Sequence, residues 1–388
     1  MSGRSPSVSV TPPPAALVVG SCPVSPWFVD PAERLRRQLR AQGITDLQDD
    51  PAEIPDNGSV IVVRADIAYD PALMRALAET PGLALLMPDR DEVAAVNVPC
   101  GMAADILGAL AAGRLTGEEA RKHGLDPQLP DEAASAYRTA LRKREPPYLL
   151  RIRRDNRLAV ERRLYSGAYK GVTDLVTKYV WPEPAFWVTR VCARLGISPN
   201  MVTFASLLLV IAAFYFFAQG QFALGLLAGW AMTFLDTVDG KLARVTVTHS
   251  RLGNVFDHGI DLVHPPFWYW AWMMGLQATG QVPADASLLL AVIVGGYVLQ
   301  RVEEGVFIAR HGVEMHVWRR FDSYFRLITA RRNPNLIILT VSLLFGHPDV
   351  GIVLVAWWTA LCFAVHLVRM IQAESTRRHG RLTSWLSS

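Results

Sequence analysis

Four aspartates are the side chains of this sequence whose type and spacing could do chemistry. Asp236 and Asp239 are three residues apart, and Asp257 and Asp261 are four apart, so in helices each pair projects from one face. Two such faces can converge on one site, where the carboxylates repel each other unless cations lie among them. Oxygen ligands without cysteine select a hard divalent ion such as Mg2+ or Mn2+. The sequence therefore predicts phosphate chemistry at a metal site.

The aspartates belong to a longer pattern, in which DxxDGxxAR is followed after eight residues by GxxxDxxxD. This pattern resembles the signature of the CDP-alcohol phosphotransferase family, and every fixed position of that signature is filled. The resemblance implies that two metal ions are held by Asp236, Asp239 and Asp257. It also implies that Asp261 completes the metal site and acts as general base, and that the enzyme is a homodimer. The residues that the resemblance places against the CDP moiety are Asp236, Asp239, Gly240, Ala243, Arg244 and Gly253.

The residues around the aspartates are apolar, and four acids are costly for a membrane helix to carry without a use. Residues 200–375 contain six predominantly apolar stretches, of which the fifth is short. These stretches lie near 201–218, 221–237, 254–277, 286–308, 334–346 and 350–371. At about 20 residues per crossing they predict an all-α bundle of six transmembrane helices, the fifth of which needs local thinning of the bilayer. Six spans put both ends of the bundle on one side.

Basic residues predict which side the aspartates face, because cytoplasmic loops carry an excess of lysine and arginine. The loop after the second stretch contains three basic residues and the loop after the fourth contains six, whereas AQGQF, QATGQVPAD and GHPD contain none. We therefore expect a multi-pass protein of the inner (cytoplasmic) membrane. Both termini and the active site are expected on the cytoplasmic side.

The average composition, 51% hydrophobic with a net charge of +4, hides a soluble first part and an apolar second part. From residue 15 to 113, β-rich runs such as AALVVG alternate with helical runs such as PAERLRRQLRAQG, which predicts a small α/β domain with a largely parallel sheet. ERLRRQLRAQGI and VVRADIAYDPALMRAL resemble a shortened, Rossmann-like nucleotidyltransferase domain, as in bifunctional inositol-phosphate cytidylyltransferase enzymes. GSCPVSPWFVDP replaces the Gly-rich loop that would hold a triphosphate, so a degenerate domain is expected.

The sequence divides into a disordered N-terminus at 1–14, the α/β domain at 15–113, a basic linker at 114–180, the membrane domain at 181–375 and a cytoplasmic tail at 376–388. The linker's basic clusters favour anionic headgroups over nucleic acid, for which no recognition motif is present. Trp187, Val188, Val191 and Leu195 predict an amphipathic helix in the membrane interface, and an ordinary surface helix is the alternative. The four cysteines show no pairing or metal spacing, and we expect free thiols.

Two features bear on the substrate. His258 lies in FDHGID, a string similar to that of eukaryotic choline and ethanolamine phosphotransferases; it could assist proton transfer from the acceptor hydroxyl or serve as a hydrogen-bond partner. Arg301 could pair with Glu303 and Glu304 of the same stretch. Alternatively, Arg301 with Arg310, Arg326 or Arg332 could form a pocket for a phosphorylated acceptor, because arginine binds phosphate bidentately. A topology signal alone is the alternative explanation for most of these arginines.

The predicted reaction is metal-assisted transfer of a substituted phosphate group from a CDP-activated alcohol to an acceptor alcohol, with release of CMP. The inositol-type first domain favours CDP-diacylglycerol or CDP-inositol as donor, and inositol phosphate or another polyol as acceptor, in polar-lipid biosynthesis. FDHG favours a choline- or ethanolamine-type enzyme with a lipid alcohol as acceptor. A six-helix transporter or an ion-binding scaffold is a remote alternative, since a transporter should show inverted repeats and the sequence shows none.

Overall fold

The computed structural model describes residues 14–248 and 251–387, without the side chains of 251–258. The chain folds into two units. Residues up to 136 and residues 145–167 form the first unit, and residues 137–144 and those from 168 onward form the second. The predicted disordered N-terminus, 1–14, lies almost entirely outside the described residues.

The first unit contains a mixed sheet of six strands. The strands of the chain are β1 (Ala15–Val19), β2 (Leu47–Gln48), β3 (Ser59–Arg64), β4 (Ile67–Tyr69), β5 (Leu83–Leu86), β6 (Val93–Pro99), β7 (Asp126–Gln128), β8 (Tyr137–Arg138), β9 (Lys143–Arg144) and β10 (Leu149–Arg151). The strand order is β2-β1-β3-β6-β5-β7. β1 is parallel to β2 and β3, and β5 is parallel to β7, but β6 is antiparallel to both neighbours. The largely parallel sheet that we predicted is therefore mixed, because connection 87–92 is too short for a crossover and forms a hairpin.

Helices cover both faces of this sheet. The helices of the first unit are α1 (Pro31–Ala41), α2 (Pro71–Glu79), α3 (Cys100–Ala111), α4 (Gly117–Lys122), α5 (Pro130–Ala133) and α6 (Arg157–Gly167). Ile61 and Val63 of β3 belong to a core that includes side chains of α1 and α2, while Val60 and Val62 belong to a core that includes side chains of α3. The alternation follows from the two-residue period of a strand.

The first unit extends beyond residue 113, where the sequence placed the start of a linker. β7 pairs with β5 and β10 pairs with β4. The buried Glu161 fastens α6, since its carboxylate accepts a hydrogen bond from the Trp27 backbone N–H at 3.1 Å and its carbonyl accepts one from the Trp27 indole at 3.1 Å. Strands of two or three residues leave no periodic signal, so the sequence could not reveal this extension.

The second unit is helical. Its helices are α7 (Pro182–Arg194), α8 (Pro199–Ala218), α9 (Phe222–Thr246), α10 (Arg251–Ala278), α11 (Ala286–His311), α12 (Arg320–Phe325), α13 (Arg332–Leu344) and α14 (Pro348–Arg377). Among the described residues, four helices are long and apolar enough to cross a membrane: α8, α9, α11 and α14. The predicted count of six is not confirmed. At about 1.5 Å per residue, α13 is about 20 Å long and falls short of a bilayer core of about 30 Å.

Local sequence explains where the helices of this unit begin and how they pack. Ser198 caps α8 by accepting a hydrogen bond from the Met201 N–H at 3.3 Å, and proline follows at the first helical position. Phe217 of α8 and Trp272 of α10 lie in one buried core. Trp268 of α10 donates from its indole to the Val210 carbonyl of α8 at 3.0 Å. These contacts hold α8 against α10.

One side of α7 is buried, with Phe186 and Cys192 facing inward, while Trp187, Val191 and Leu195 are exposed. The exposed apolar side is the one that the sequence assigned to the membrane interface, but no membrane position follows from exposure alone. All four cysteines are free thiols, as predicted.

Candidate active site

A cavity of about 400 Å3 lies in the second unit. Its walls come from α9, α10, α11 and α13, from the segments 169–177 and 326–331, and from the turn between β8 and β9. The charged side chains that line it are Arg142, Lys170, Asp174, Asp236, Lys241, Arg244, Asp261, Arg301, Arg326, Arg331 and Arg332. Eight cationic groups therefore share the lining with three acidic ones.

Two of the predicted aspartates meet on one guanidinium. Asp236 lies on α9 and Asp261 on α10, and Arg332 at the start of α13 donates to Asp236 Oδ2 at 2.5 Å and also to Asp261 Oδ1. The two helix faces converge, as the spacing of the aspartates predicted. The structure places Arg332, one of the arginines predicted to bind the acceptor, between the two acids, where its positive charge offsets their repulsion. Its role toward the acceptor stays a prediction.

Asp239 is the most deeply buried of the described aspartates in this pattern, at 3% exposure. Its Oδ2 accepts a hydrogen bond from Thr203 at 2.6 Å, and its Oδ1 has no partner among the described residues. A buried carboxylate oxygen without a donor is costly, and a hard cation would satisfy it. The chemistry of these oxygens fits a divalent ion.

The described residues alone do not complete a metal site, since no group of three or more metal-type ligands among them is placed to hold an ion. Asp257, His258 and Gly253 lie along the described backbone of α10, but their side chains are outside the described part of the structure. Their predicted roles therefore stay predictions.

Arg326 is the cation of this cavity that most needs a partner. It is 8% exposed, and its Nε and Nη1 have no hydrogen-bond partner in the described structure. Burial, followed by the charge of Arg331, lowers the pKa of Arg326 well below its usual value. Burial and the charges of Arg244 and Arg142 likewise lower the pKa of Lys170. A bound anion would relieve both groups, so the electrostatics of the cavity favour an anionic ligand.

The other predicted acceptor arginines differ in their surroundings. Arg301 lines the cavity and donates to Glu304 at 3.3 Å. Arg310 is outside the cavity lining, is half exposed, and pairs with Glu374 at 2.6 Å. The structure therefore brings three of the four predicted acceptor arginines to the cavity, all but Arg310.

Three of the residues predicted to contact CDP, Gly240, Ala243 and Arg244, lie along one turn of α9. Gly240 lines the cavity, and a Cβ built there would meet only Arg244 Nη1, at 3.7 Å. That open space leaves room for a ligand beside the backbone, and contact of Gly240 with CDP stays a prediction. Arg244 also lines the cavity and donates to the Ala168 carbonyl at 3.4 Å. Ala243 is half-buried on the same helix and is not among the lining residues.

Sequence reasoning missed several cavity residues, because they lie in segments that it treated as a linker or a loop. Arg142 and Lys170 belong to the predicted basic linker, and its sequence did not indicate that these side chains would line a cavity. Asp174 accepts hydrogen bonds from the Asn333 amide at 2.9 Å and from the Thr177 N–H at 3.0 Å. Burial raises the pKa of Asp174, but these hydrogen bonds outweigh it and hold that pKa below its usual value. Asp174 therefore stays charged and fixes the wall beside α13.

Residues 196–329, which include α8 to α11 and the aspartate pattern, match the family described as CDP-alcohol phosphatidyltransferase. The predicted resemblance is confirmed: this part of the chain is a CDP-alcohol phosphatidyltransferase domain. The protein is a membrane transferase of phosphate-containing groups. No comparison tests the likeness of the first unit to nucleotidyltransferases, which stays a prediction.

Three relatives show the breadth of the similarity. The chain is 28% identical over 202 residues to archaetidylinositol phosphate synthase of Pyrococcus horikoshii, a match that covers 51% of this chain and 95% of the relative. It is 30% identical over 118 residues to an uncharacterized class-I CDP-alcohol phosphatidyltransferase family protein of Schizosaccharomyces pombe, covering 27% of this chain and 30% of the relative. It is 31% identical over 145 residues to ethanolaminephosphotransferase 1 of Pongo abelii, covering 31% of this chain and 35% of the relative.

Proposed function

We propose that the protein transfers a substituted phosphate group from a CDP-linked lipid to a phosphorylated polyol, such as inositol phosphate, and releases CMP. The observation that carries this proposal is Arg326, which lines the cavity, is buried, and has two unpartnered nitrogens. A buried guanidinium whose N–H groups lack hydrogen-bond partners is costly, and a phosphate group supplies both charge and paired acceptors. The Pyrococcus relative is named as a synthase of archaetidylinositol phosphate, which supports the same class of product.

The chain's own residues account for binding and proton transfer. Arg244 and Lys241, from the same helix as Asp236, lie where the pyrophosphate of the donor would meet α9. Asp261, whose side chain is 41% exposed, accepts the proton of the acceptor hydroxyl as that oxygen attacks the β-phosphorus. Arg332 keeps Asp236 and Asp261 together. Asp236, Asp239, Asp257 and Asp261 would hold two Mg2+ or Mn2+ ions, which when bound neutralise charge on the leaving CMP.

The apolar side of the cavity indicates where the lipid lies. Leu262 and Pro265 of α10 and Tyr297 of α11 line the cavity, and Leu262 is 55% exposed. We propose that the lipid chain enters the cavity between α10 and α11. This apolar wall favours CDP-diacylglycerol over CDP-inositol as the donor, so we propose that the donor carries the lipid.

A second candidate is an ethanolamine- or choline-type enzyme, in which a lipid alcohol is the acceptor. The FDHG string and the similarity to ethanolaminephosphotransferase 1 favour it. The excess of cationic groups in the cavity favours the first candidate, because the hydroxyl of a lipid alcohol has no charge to offer Arg326.

The membrane arrangement is part of the same proposal. We propose six spans formed by α8, α9, α10, α11, α13 and α14, with the cavity and both termini in the cytoplasm, α7 in the interface, and a homodimer as the working form. The connections 219–221, 279–285 and 345–347 contain no lysine or arginine, which supports this orientation. Labelling of cysteines introduced at the exposed positions 219 and 284 from outside intact cells tests it, and labelling only after lysis would contradict it.

The reaction is tested with full-length protein in detergent micelles. CDP-diacylglycerol is supplied with inositol phosphate or inositol, and CDP-ethanolamine with diacylglycerol; CMP is quantified and products are resolved by mass. We expect CMP from the first pair, far more than from inositol, no CMP after chelation with EDTA, and recovery with Mg2+ or Mn2+. Asp236→Asn serves as the inactive control. Product from diacylglycerol as acceptor would discard the first candidate, and activity that survives exhaustive chelation would exclude the metal ions.

A further inference from the structure

A short hairpin of the chain belongs to the second unit although both of its flanks belong to the first. Residues 137–144 are grouped with the helical unit, while the chain before 137 and from 145 to 167 is grouped with the α/β unit. β8 and β9 pair antiparallel, with Tyr137 opposite Arg144. At the base of the hairpin, the Glu145 N–H donates to the Ala136 carbonyl at 2.8 Å. The hairpin also lies outside the 196–329 family match, so that match gives it no role.

The tip of this hairpin is fixed against the segment that precedes α7. The Gly171 N–H donates to the Leu141 carbonyl at 2.8 Å. A Cβ built on Gly171 would lie 2.5 Å from Lys143 Cβ and 2.7 Å from the Arg142 carbonyl oxygen. Both distances are far below van der Waals contact, so only glycine at 171 lets the hairpin approach this closely.

Arg142 stands at the tip in an unusual backbone conformation. Its φ is 49°, in the left-handed region, which costs a residue other than glycine about 1–2 kcal/mol. Its Nε donates to Glu314, beyond the end of α11, and its side chain lines the cavity. Asparagine or glycine would fit this turn with less strain. A strained arginine held by an ion pair beside a cavity indicates that the guanidinium itself has a use.

We propose that Arg142 determines specificity for the phosphate group of the acceptor, and that hairpin 137–144 delivers it to the cavity. The inference rests on the proposed function and deepens it, by assigning the acceptor a dianionic phosphate monoester. Arg142, Lys170 and Arg326 line the same cavity, and three cations suit a group with two negative charges. An arginine offers five donors, of which the ion pair with Glu314 uses the one on Nε.

The charges around these side chains agree with this assignment. Burial, then Arg244 and Arg142, lower the pKa of Lys170. Arg142 also contributes to the lowering of the pKa of Arg326, after burial and Arg331. The three groups therefore repel one another across the cavity in the absence of an anion, and a phosphate monoester replaces that repulsion with attraction.

The test compares Arg142→Gln, Arg142→Lys and Gly171→Val in full-length protein. Loss of one charge-assisted hydrogen-bond donor is expected to raise the KM for inositol phosphate about 10- to 100-fold, with the KM for the CDP-linked donor unchanged. Arg142→Lys should recover part of the loss, because the charge remains. Gly171→Val should act in the same direction, since it displaces the hairpin without altering a cavity side chain. Arg154→Gln, an exposed arginine of the first unit, is the matched control and should behave like wild type.

A second measurement separates this inference from the proposed function. If wild-type protein releases no CMP with inositol phosphate, the proposed function fails, and the hairpin is tested through equilibrium binding of inorganic phosphate by calorimetry. Weaker phosphate binding in Arg142→Gln and Gly171→Val than in wild type and Arg154→Gln supports the role of the hairpin. Equal phosphate binding, or a KM that rises equally for phosphorylated and unphosphorylated acceptors, overturns it. If Arg142→Gln does not fold, as judged by its unfolding temperature, Arg142→Lys takes its place.

Discussion

The two units of the protein treat buried charge in opposite ways. In the α/β unit, Arg64 pairs with Asp66 at 2.8 Å and also with Glu92, and Arg151 pairs with Glu92. Two cations there meet two carboxylates, and the cluster is neutral by itself. In the helical unit, eight cationic side chains line one cavity with three acidic ones. Glu304 and Glu314, outside the lining, pair with Arg331 and Arg142, yet among the described residues cations still outnumber acids. The first cluster is neutral, whereas the second keeps an excess of positive charge.

The two clusters also differ in the free volume beside them. A Cβ on Gly113 would lie 2.8 Å from both Arg64 Nη1 and Glu92 Oε1, so even a methyl group does not fit beside the first cluster. The cavity of the helical unit has a volume of about 400 Å3. The contrast suggests that buried ion pairs of the α/β unit serve its fold, and that uncompensated charge marks the place where a substrate binds.

The largest expected effect comes from replacing Asp261, the proposed general base. Asp261→Asn should lower kcat about 10²- to 10⁴-fold, the usual loss when a general base is removed, while the Kd for the CDP-linked donor stays near the wild-type value. Single-turnover CMP release and donor binding measure the two quantities separately. Asp285→Asn, an exposed acid outside the cavity, should leave both unchanged. If donor affinity falls as far as kcat does, Asp261 acts mainly as a ligand.

Breaking the ion-pair cluster of the α/β unit, which contains Arg64, Asp66, Glu92 and Arg151, should lower the free energy of unfolding and leave catalysis intact. Glu92→Gln leaves Arg64 and Arg151 without their shared carboxylate, and loss of one partner of a buried pair costs about 3–5 kcal/mol. Denaturant unfolding of the full-length protein in detergent measures this loss. The KM for the acceptor, measured on protein that remains folded, should equal that of wild type. A changed KM would show that the cluster belongs to the active site.

Arg326→Gln should give the opposite result. Removal of a cation from a cavity with excess positive charge relieves repulsion, so the unfolding temperature should stay the same or rise. The KM for inositol phosphate should increase about 10- to 100-fold, as expected when a charged hydrogen bond to the acceptor is lost. A fall in stability without a change in KM would show that Arg326 has a structural partner rather than a substrate.

The smallest effect concerns pH. Burial lowers the pKa of His316, which is 4% exposed, to about 3. Between about pH 3 and pH 6.5 the unfolded chain binds a proton that the folded protein excludes, so stability falls as pH falls. The expected loss from pH 7 to pH 5 is about 2 kcal/mol. Unfolding at both pH values, in wild type and in His316→Gln, isolates this contribution. An identical pH dependence in the variant would assign the effect to other groups.

The sequence could predict those features that depend on the spacing of residues close together in the chain. Asp236 and Asp239 lie on one helix, and the periodicity that places them on a common face acts over a few residues. The role of Arg332 could not be predicted, because it depends on the distant start of α13 meeting α9 and α10. Arg310 and Arg326 look alike in the sequence, and only packing makes one exposed and the other buried.

The same limit explains the first unit. Runs such as SVIVVR predicted strands correctly, because buried strands are continuously apolar. β7 and β10 are too short to show a pattern, and the direction of β6 depends on the length of its connection to β5. The sequence therefore found the helices and aspartates of the site, but not the second-unit hairpin that helps to line it.

The ion pair between Arg142 and Glu314 has a consequence for how the protein is made. Arg142 leaves the ribosome before any membrane helix, and Glu314 follows 172 residues later (314 minus 142). Contacts across such a separation form late, after the intervening chain is in place. A nascent chain that ends before Arg332 holds Asp236 and Asp261 without the cation that joins them. The cavity is therefore among the last parts of the protein to mature, and a partly synthesised chain does not yet contain a finished binding site.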